Sequence, residues 1–423
     1  MSGLELTNTL TGHKAPFSPR QAGRVKFFSC GPSVYRKQHA GNYRTYLFAD
    51  MLHKFLQYTG YAVERVINFT DVEDKAIDEA REKGVSVASL RRPVEQAFFR
   101  ECELLGIQLP DSIPRATTSV DQAVALIRRL IDRGHAYWHE DEVFFDPLTY
   151  EGFGRLYGLD MRRWPEKRIR FRRDTYPGHR WNRGDFILWH KRREKDGLVW
   201  WETELGAGRP AWNIQDAAMI SKHLGDEIDI HSGGVDNLYR HHDYTLAIME
   251  GASGKRFCPW WLHGGHLLVD GSKMSKSKGN VTTVDDLLAR GFKPRQIRFF
   301  LLYGPYRESL DLRISTLDER AGRLARIRHL ARQLLGEQTQ GSKMDGPDPA
   351  AAMQADFESR MNDDLDYAGA FDAVAEHLTR AAAASADRRL DARRRRRMTE
   401  IIAKMDGVLG VFGDLSCVEA ASI

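Results

Sequence analysis

The chain has 423 residues, 42% of them hydrophobic, with 63 Lys and Arg against 58 Asp and Glu. That length excludes a single small binding module, and the lack of any apolar run near the roughly 18 residues of a membrane helix excludes a helical span. A net charge of +5 is too small to specify a polyanionic partner by itself.

No basic segment followed by an apolar stretch opens the sequence, so a cytoplasmic location is expected. Cys30, Cys102, Cys258 and Cys417 stand far apart with no C-x-x-C pair, which argues against a disulfide framework or a zinc ribbon. Residues 25–29 are apolar and rich in β-formers until Cys30-Gly31-Pro32 breaks them, predicting a buried strand that feeds a loop. Tyr43, Leu47, Phe48, Met51, Leu52 and Phe55 then recur at helical spacing up to Gly60, and residues 62–69 read as the next strand. The first 70 residues therefore predict a βαβ unit and a parallel sheet. Its functional edge is the loop at 30–42, because ligands of such sheets bind beyond the carboxyl ends of the strands.

From Pro93 to about Gly134 the pattern is helical, and at 137–146 it turns aromatic and branched, as inserted material would. Residues 228–231 predict another buried strand, with Ser232-Gly233-Gly234 as its transition to a loop. A helix is predicted from 315 to about 335, an exposed connection over 336–349, and further helices over 368–384 and 398–409. The expected fold is α/β, with a catalytic body over residues 1–314, an insertion at about 93–210, and a helical stem and bundle over 315–423. Two basic stretches stand out. One holds Arg162, Arg163, Lys167, Arg168, Arg170, Arg172 and Arg173, and the other holds Arg388, Arg389 and Arg393 to Arg397. A solvated helix face explains each about as well as a phosphate-binding surface does.

The strongest chemical signal is Lys273-Met274-Ser275-Lys276-Ser277, in a loop after the apolar run 267–269. Two lysines flanking small hydroxyl residues can wrap a triphosphate and stabilise the charge that builds on departing pyrophosphate. A matching element lies far upstream, in His39-Ala40-Gly41-Asn42, where the first loop meets the first helix. Gly41 lets backbone approach a nucleotide, while the His39 imidazole and the Asn42 amide can donate to phosphate oxygens. Alone this second element is a weak signal; paired with the lysine loop it is a strong one.

With both in place the chain resembles the class I aminoacyl-tRNA synthetases, and among them the cysteinyl-tRNA synthetase family. His39 to Asn42 is similar to the family's HIGH element and Lys273 to Ser277 is its KMSKS. Cys30 to Tyr35 resembles CGPTVY, Asn68 to Lys75 resembles NITDIDDK, and Asp229 to Asp236 resembles DIHGGGSD. The resemblance implies a Rossmann-like parallel-sheet domain split by an insertion, then a stem and a helical domain. It also implies an ATP-dependent ligase that forms an aminoacyl-adenylate, with Mg²⁺ accompanying ATP. His39, Asn42, Lys273 and Lys276 would then be catalytic, and Gly41, His231, Gly233, Gly234, Asp236, Met274, Ser275 and Ser277 would hold ATP. The amino-acid pocket would comprise Cys30, Gly31, Ser33, Tyr35, Thr70, Trp212, Asp216, His241 and Thr245.

The departures fall on the zinc ion through which the family binds its substrate thiol. Cys30 and His241 match two of the four ligands, but Asp216 stands in place of a cysteine and Thr245 in place of a glutamate. An aspartate can bind zinc, yet the more economical expectation is a pocket without metal, in which Asp216 meets a polar or cationic amino acid. The family's small terminal module is also not expected after the helical region, which puts anticodon reading in doubt. The expectation is therefore a monomeric ligase whose partners are ATP and an amino acid, with a small amine or carrier as acceptor, tRNA as a second possibility, and no membrane. Its rivals are a cysteinyl-tRNA synthetase that charges tRNA and a non-catalytic RNA-binding or regulatory paralogue.

Overall fold

The computed structural model describes residues 3–110, 112–161, 184–275, 279–336, 348–386 and 391–413. The chain opens with a hairpin that the sequence pattern does not predict, in which β1 (Glu5–Asn8) pairs antiparallel with β2 (His13–Pro16). The predicted βαβ unit follows as β3 (Arg24–Ser29), α1 (Ala40–Tyr58) and β4 (Ala62–Ile67), with β3 and β4 parallel. The start of α1 is written in the sequence. His39 is its N-cap and accepts from the Asn42 amide at 3.3 Å, while Asn42 Oδ1 accepts from the His39 backbone N–H at 3.0 Å.

Next come α2 (Asp74–Glu82), α3 (Val87–Leu104) and α4 (Val120–Asp132). The expected insertion boundary at Pro93 falls inside α3, whose true start is the cap at Ser86. A proline reads as a helix beginning, but here it sits in the helix interior. Four antiparallel strands, β5 (Ala136–His139), β6 (Glu142–Phe145), β7 (Phe186–Lys191) and β8 (Gly208–Pro210), pair in that order. Glu140 and Asp141, both at positive φ, make the tight turn between the first two. The basic stretch at 162–173 lies outside the described residues.

The parallel sheet resumes after α5 (Trp212–His223) with β9 (Ile230–Gly234), α6 (Asp243–Ser253) and β10 (Trp260–Gly264), giving the strand order β10-β9-β3-β4 with every pair parallel. Ser232, Gly233 and Gly234, predicted as a loop, are the end of strand β9. A small sheet of β11 (Leu267–Val269), β12 (Ser272–Lys273) and β13 (Leu310–Leu312) carries the lysine loop. Between its strands lie α7 (Val284–Ala289) and α8 (Pro294–Leu302). The chain then continues as α9 (Ile314–Gly336), α10 (Pro349–Asn362), α11 (Tyr367–Ala386) and α12 (Ala392–Leu409). Among the described residues no helix is long and apolar enough to cross a membrane.

The C-terminal helices share one core with the first α/β unit. Phe55 and Phe357 meet edge to face, and Phe48 stacks on Tyr306 at 4.3 Å. A second core, under the other face of the sheet, gathers Phe28 and Val66 with α4, α5 and α6. Two polar knots join distant segments. Arg298, 1% exposed, bonds Asp50 Oδ2 at 3.1 and 3.2 Å and the carbonyls of Leu105, Gly106, Val408 and Leu409. Asp364 accepts from the Thr7 amide and hydroxyl, the Tyr306 hydroxyl and Arg307 Nε, all at 2.7–3.0 Å.

Candidate active site

The fold brings the two segments read as phosphate-binding from the sequence together. His39, Gly41, Asn42, Gly234, Asp236, Lys273 and Met274 line one small cavity of about 60 Å³. Met274 closes over Gly41, where an added Cβ would stand 2.9 Å from Met274 Cε. Because His39 Nδ1 accepts the Asn42 N–H, its proton sits on Nε2, and burial lowers its pKa below the ordinary imidazole range. His39 is thus a neutral donor. The capping box occupies Asn42 Oδ1, which leaves Nδ2 to donate.

The base of the lysine loop is fixed by Asn280. Its Oδ1 accepts from the Ser275 amide at 2.9 Å and its Nδ2 donates to Lys273 O at 3.3 Å. Lys276 and Ser277 lie outside the described residues, as do Arg388, Arg389 and Cys417. Thr45, Gly264, Gly265 and His266 also line the cavity and were not expected there. Thr45 was legible as the residue one turn beyond Gly41 on the same helix face.

Strand alternation corrects two expected nucleotide contacts. His231 is fully buried on the far side of β9, between Phe28 and Trp261, and neither ring nitrogen has a hydrogen-bond partner. Gly233 faces His242, where a Cβ would lie 2.4 Å from the ring, and Cys30 Cβ at 3.4 Å. Gly234 alone of the pair faces the cavity.

The second cluster adjoins the first through Asp236, which also lines a cavity of about 400 Å³ with Trp212, Asn237, Tyr239, Arg240 and His241. Trp212 and Asp216 lie one turn apart on α5, and the Trp212 ring stacks on His241 at 4.0 Å. His241 Nε2 stands 2.9 Å from Asp216 Oδ2 and 3.7 Å from Cys30 Sγ, and Asn237 Nδ2 reaches that sulfur at 3.6 Å. Burial, and then the Asp216 carboxylate, push the Cys30 thiol well above its usual pKa.

Asp216 differs from expectation in one respect that matters. It is not waiting for a cationic substrate, because His241 and Asn68 Nδ2, the latter at 2.9 Å, already satisfy it. Asn68, fully buried, was not expected in the pocket; its Oδ1 also accepts from the Gly31 amide at 2.8 Å. At Gly31 a Cβ would meet Asn68 O at 1.9 Å, so only glycine fits. Ser33 and Thr70 pair as a parallel bridge nearby, and no described hydrogen bond links Tyr35 to the cluster.

The zinc ion that the resemblance implies needs several N, O or S donors around one point. Cys30 and Asp216 converge on His241 Nε2, and Cys30, His241 and His242 each offer a donor within 4.8 Å of the others. Thr245 is no replacement for a glutamate, since a neutral threonine hydroxyl is not among the usual zinc donors, and its hydroxyl donates to His241 O at 2.9 Å. The residues present thus fit a site of three protein donors with an open position, and the expectation of a zinc-free pocket gains no support from them.

Comparison with known proteins identifies the family. Residues 16–321 match the family model described as tRNA synthetases class I (C) catalytic domain. A cysteine-tRNA ligase of Brachyspira hyodysenteriae is 38% identical over 331 residues, covering 78% of this chain and 69% of the relative. One from Leptospira interrogans is 33% identical over 417 residues, covering 97% and 88%. Among solved structures, Mycobacterium tuberculosis methionyl-tRNA synthetase in complex with methionyl-adenylate superposes with a TM-score of 0.66 at 18% identity, covering 91% of this chain and 89% of that one. That likeness shows the fold, a Rossmann-like α/β domain. The chain therefore belongs to the class I aminoacyl-tRNA synthetases, in the cysteinyl-tRNA synthetase family, and is a ligase of the kind that forms an aminoacyl-adenylate.

Proposed function

We propose that this chain activates cysteine with ATP and esterifies it to tRNA, with residues 1–314 as the catalytic unit. The carrying observation is that Cys30, Asp216 and His241 converge beside the cavity that holds His39 and Lys273. In the first step the amino-acid carboxylate attacks the α-phosphorus of ATP, a P–O bond forms, and pyrophosphate leaves with the bonding electrons. Asn42 and Lys273 hold phosphate oxygens while the His39 Nε2–H donates to the charge that develops. In the second step a terminal tRNA hydroxyl attacks the mixed anhydride and AMP leaves.

Cys30, Asp216 and His241 would hold zinc, which supplies a soft site for a substrate thiolate. The relatives' names support tRNA as acceptor. A small amine or carrier finds no support among them. Because Asp216 is already paired inside the protein, the case for a cationic amino acid loses its physical basis.

Two measurements test this reading. ATP–pyrophosphate exchange screened across the standard amino acids is expected to be fastest with cysteine. A different best amino acid would remove cysteine but leave adenylation standing, and no exchange with any of them would remove both. Zinc competition against a chromophoric chelator is expected to show one saturable site that Cys30→Ser and Asp216→Asn each weaken by about tenfold or more. No saturable site in the native chain would sink the metal assignment.

A further inference from the structure

The zinc reading leaves one place in the donor set unfilled, because Thr245 stands where a glutamate is expected. We infer that His242 fills it, giving its Nε2 to the metal as a second imidazole beside His241. The inference rests on the zinc reading above and adds a donor that the reading leaves out.

Three observations converge on this atom. His242 is fully buried, and its Nε2 has no hydrogen-bond partner among the described residues. Cys30, His241 and His242 each bring a donor within 4.8 Å of the others. The third observation is Gly233, which keeps the gap between the His242 ring and Cys30 open. A Cβ there would stand 2.4 Å from His242 Cε1, 3.0 Å from Nε2 and 3.4 Å from Cys30 Cβ. Gly233 lies within β9 and is not at positive φ, so its backbone conformation does not call for glycine. The space beside the imidazole does.

The far side of the ring is anchored. His242 Nδ1 lies 2.8 Å from His263 Nε2, and His263 Nδ1 lies 2.9 Å from Thr9 Oγ1. With a proton on each Nδ1, His242 donates to His263 and His263 donates to Thr9, which leaves a lone pair on His242 Nε2. The reverse arrangement puts a proton on that nitrogen with nothing to accept it. Neither satisfies Nε2 within the protein, but the first offers what a cation takes. A hydrogen bond from the far nitrogen is the usual device that sets tautomer and orientation in a metal-bound histidine. Zinc in catalytic sites expands to five donors, so a fourth protein donor still leaves room for a substrate thiol.

Zinc competition against a chromophoric chelator, with the full native chain and with His242→Gln, tests this alongside zinc-edge X-ray absorption of the loaded native chain. His242→Gln is expected to weaken zinc at least about tenfold, and the native spectrum to show two imidazoles on the metal. Unchanged affinity in His242→Gln would overturn the inference. So would a native spectrum with one imidazole, and that spectrum alone decides if His242→Gln fails to fold. A native chain that takes up no zinc would remove the zinc reading and this inference together, whereas zinc held by Cys30 and a single imidazole would remove the inference alone.

Discussion

Replacing His39 with alanine is expected to slow cysteine-dependent ATP–pyrophosphate exchange by about 10²- to 10³-fold, the usual cost of removing one donor aimed at developing charge. ATP affinity should change only a few-fold, because a neutral imidazole gains most as charge moves onto the leaving pyrophosphate. His39 also caps α1, and losing a cap costs about 0.5–2 kcal/mol, so a folding defect could mimic a catalytic one. His39→Asn separates the two, since asparagine restores a capping oxygen but not the Nε2 donor. That variant should recover stability and not exchange. An effect of His39→Ala confined to ATP affinity would remove the transition-state role.

The largest stability effect is expected at Arg298. Its guanidinium is fully enclosed and holds Asp50 from α1, the turn after α3 and the C-terminal carbonyls of α12 at once. Arg298→Ala leaves a buried carboxylate with only Lys54 and the Gln108 amide, and takes their side-chain donor from the carbonyls of Leu105, Val408 and Leu409, while Lys54 still bonds Gly106 O. Removing one partner of a buried pair typically costs about 3–5 kcal/mol. Urea unfolding of native and variant chains measures it, and a loss below about 1 kcal/mol would show that the surrounding helices collapse onto the gap. Lysine is not expected to rescue, because one ammonium cannot reach the same fan of acceptors.

Much of the catalytic half could be read from local pattern. The break at Cys30-Gly31-Pro32 and the periodic run after Tyr43 are short-range features that the structure keeps near their predicted places, whereas the His39–Asn42 capping box, equally short-range, went unpredicted because both residues were read only as phosphate donors. The misses are of a different kind. Asn68 and Asp216 meet across 148 positions, and no periodicity in either segment announces that contact. His231 was placed in the nucleotide site with Gly234, yet strand alternation sends them to opposite faces, a distinction that needs the register of β9. The helical pattern was taken to begin at Pro93, while the helix starts at the Ser86 cap and runs through the proline.

The knot at Asp364 has a consequence for how the two ends of the described chain move. One carboxylate collects donors from Thr7 of the opening hairpin and from Tyr306 and Arg307 between α8 and β13, and Glu5 and Asp363 bridge beside it. The first strand is thereby latched to the helical bundle and should not fray as an ordinary terminus does. In native-state hydrogen–deuterium exchange the Thr7 amide should be protected to the same degree as amides within α11, and Asp364→Ala should release Thr7 first. Rapid exchange at Thr7 in the native chain would mean that the hairpin opens independently of the helices.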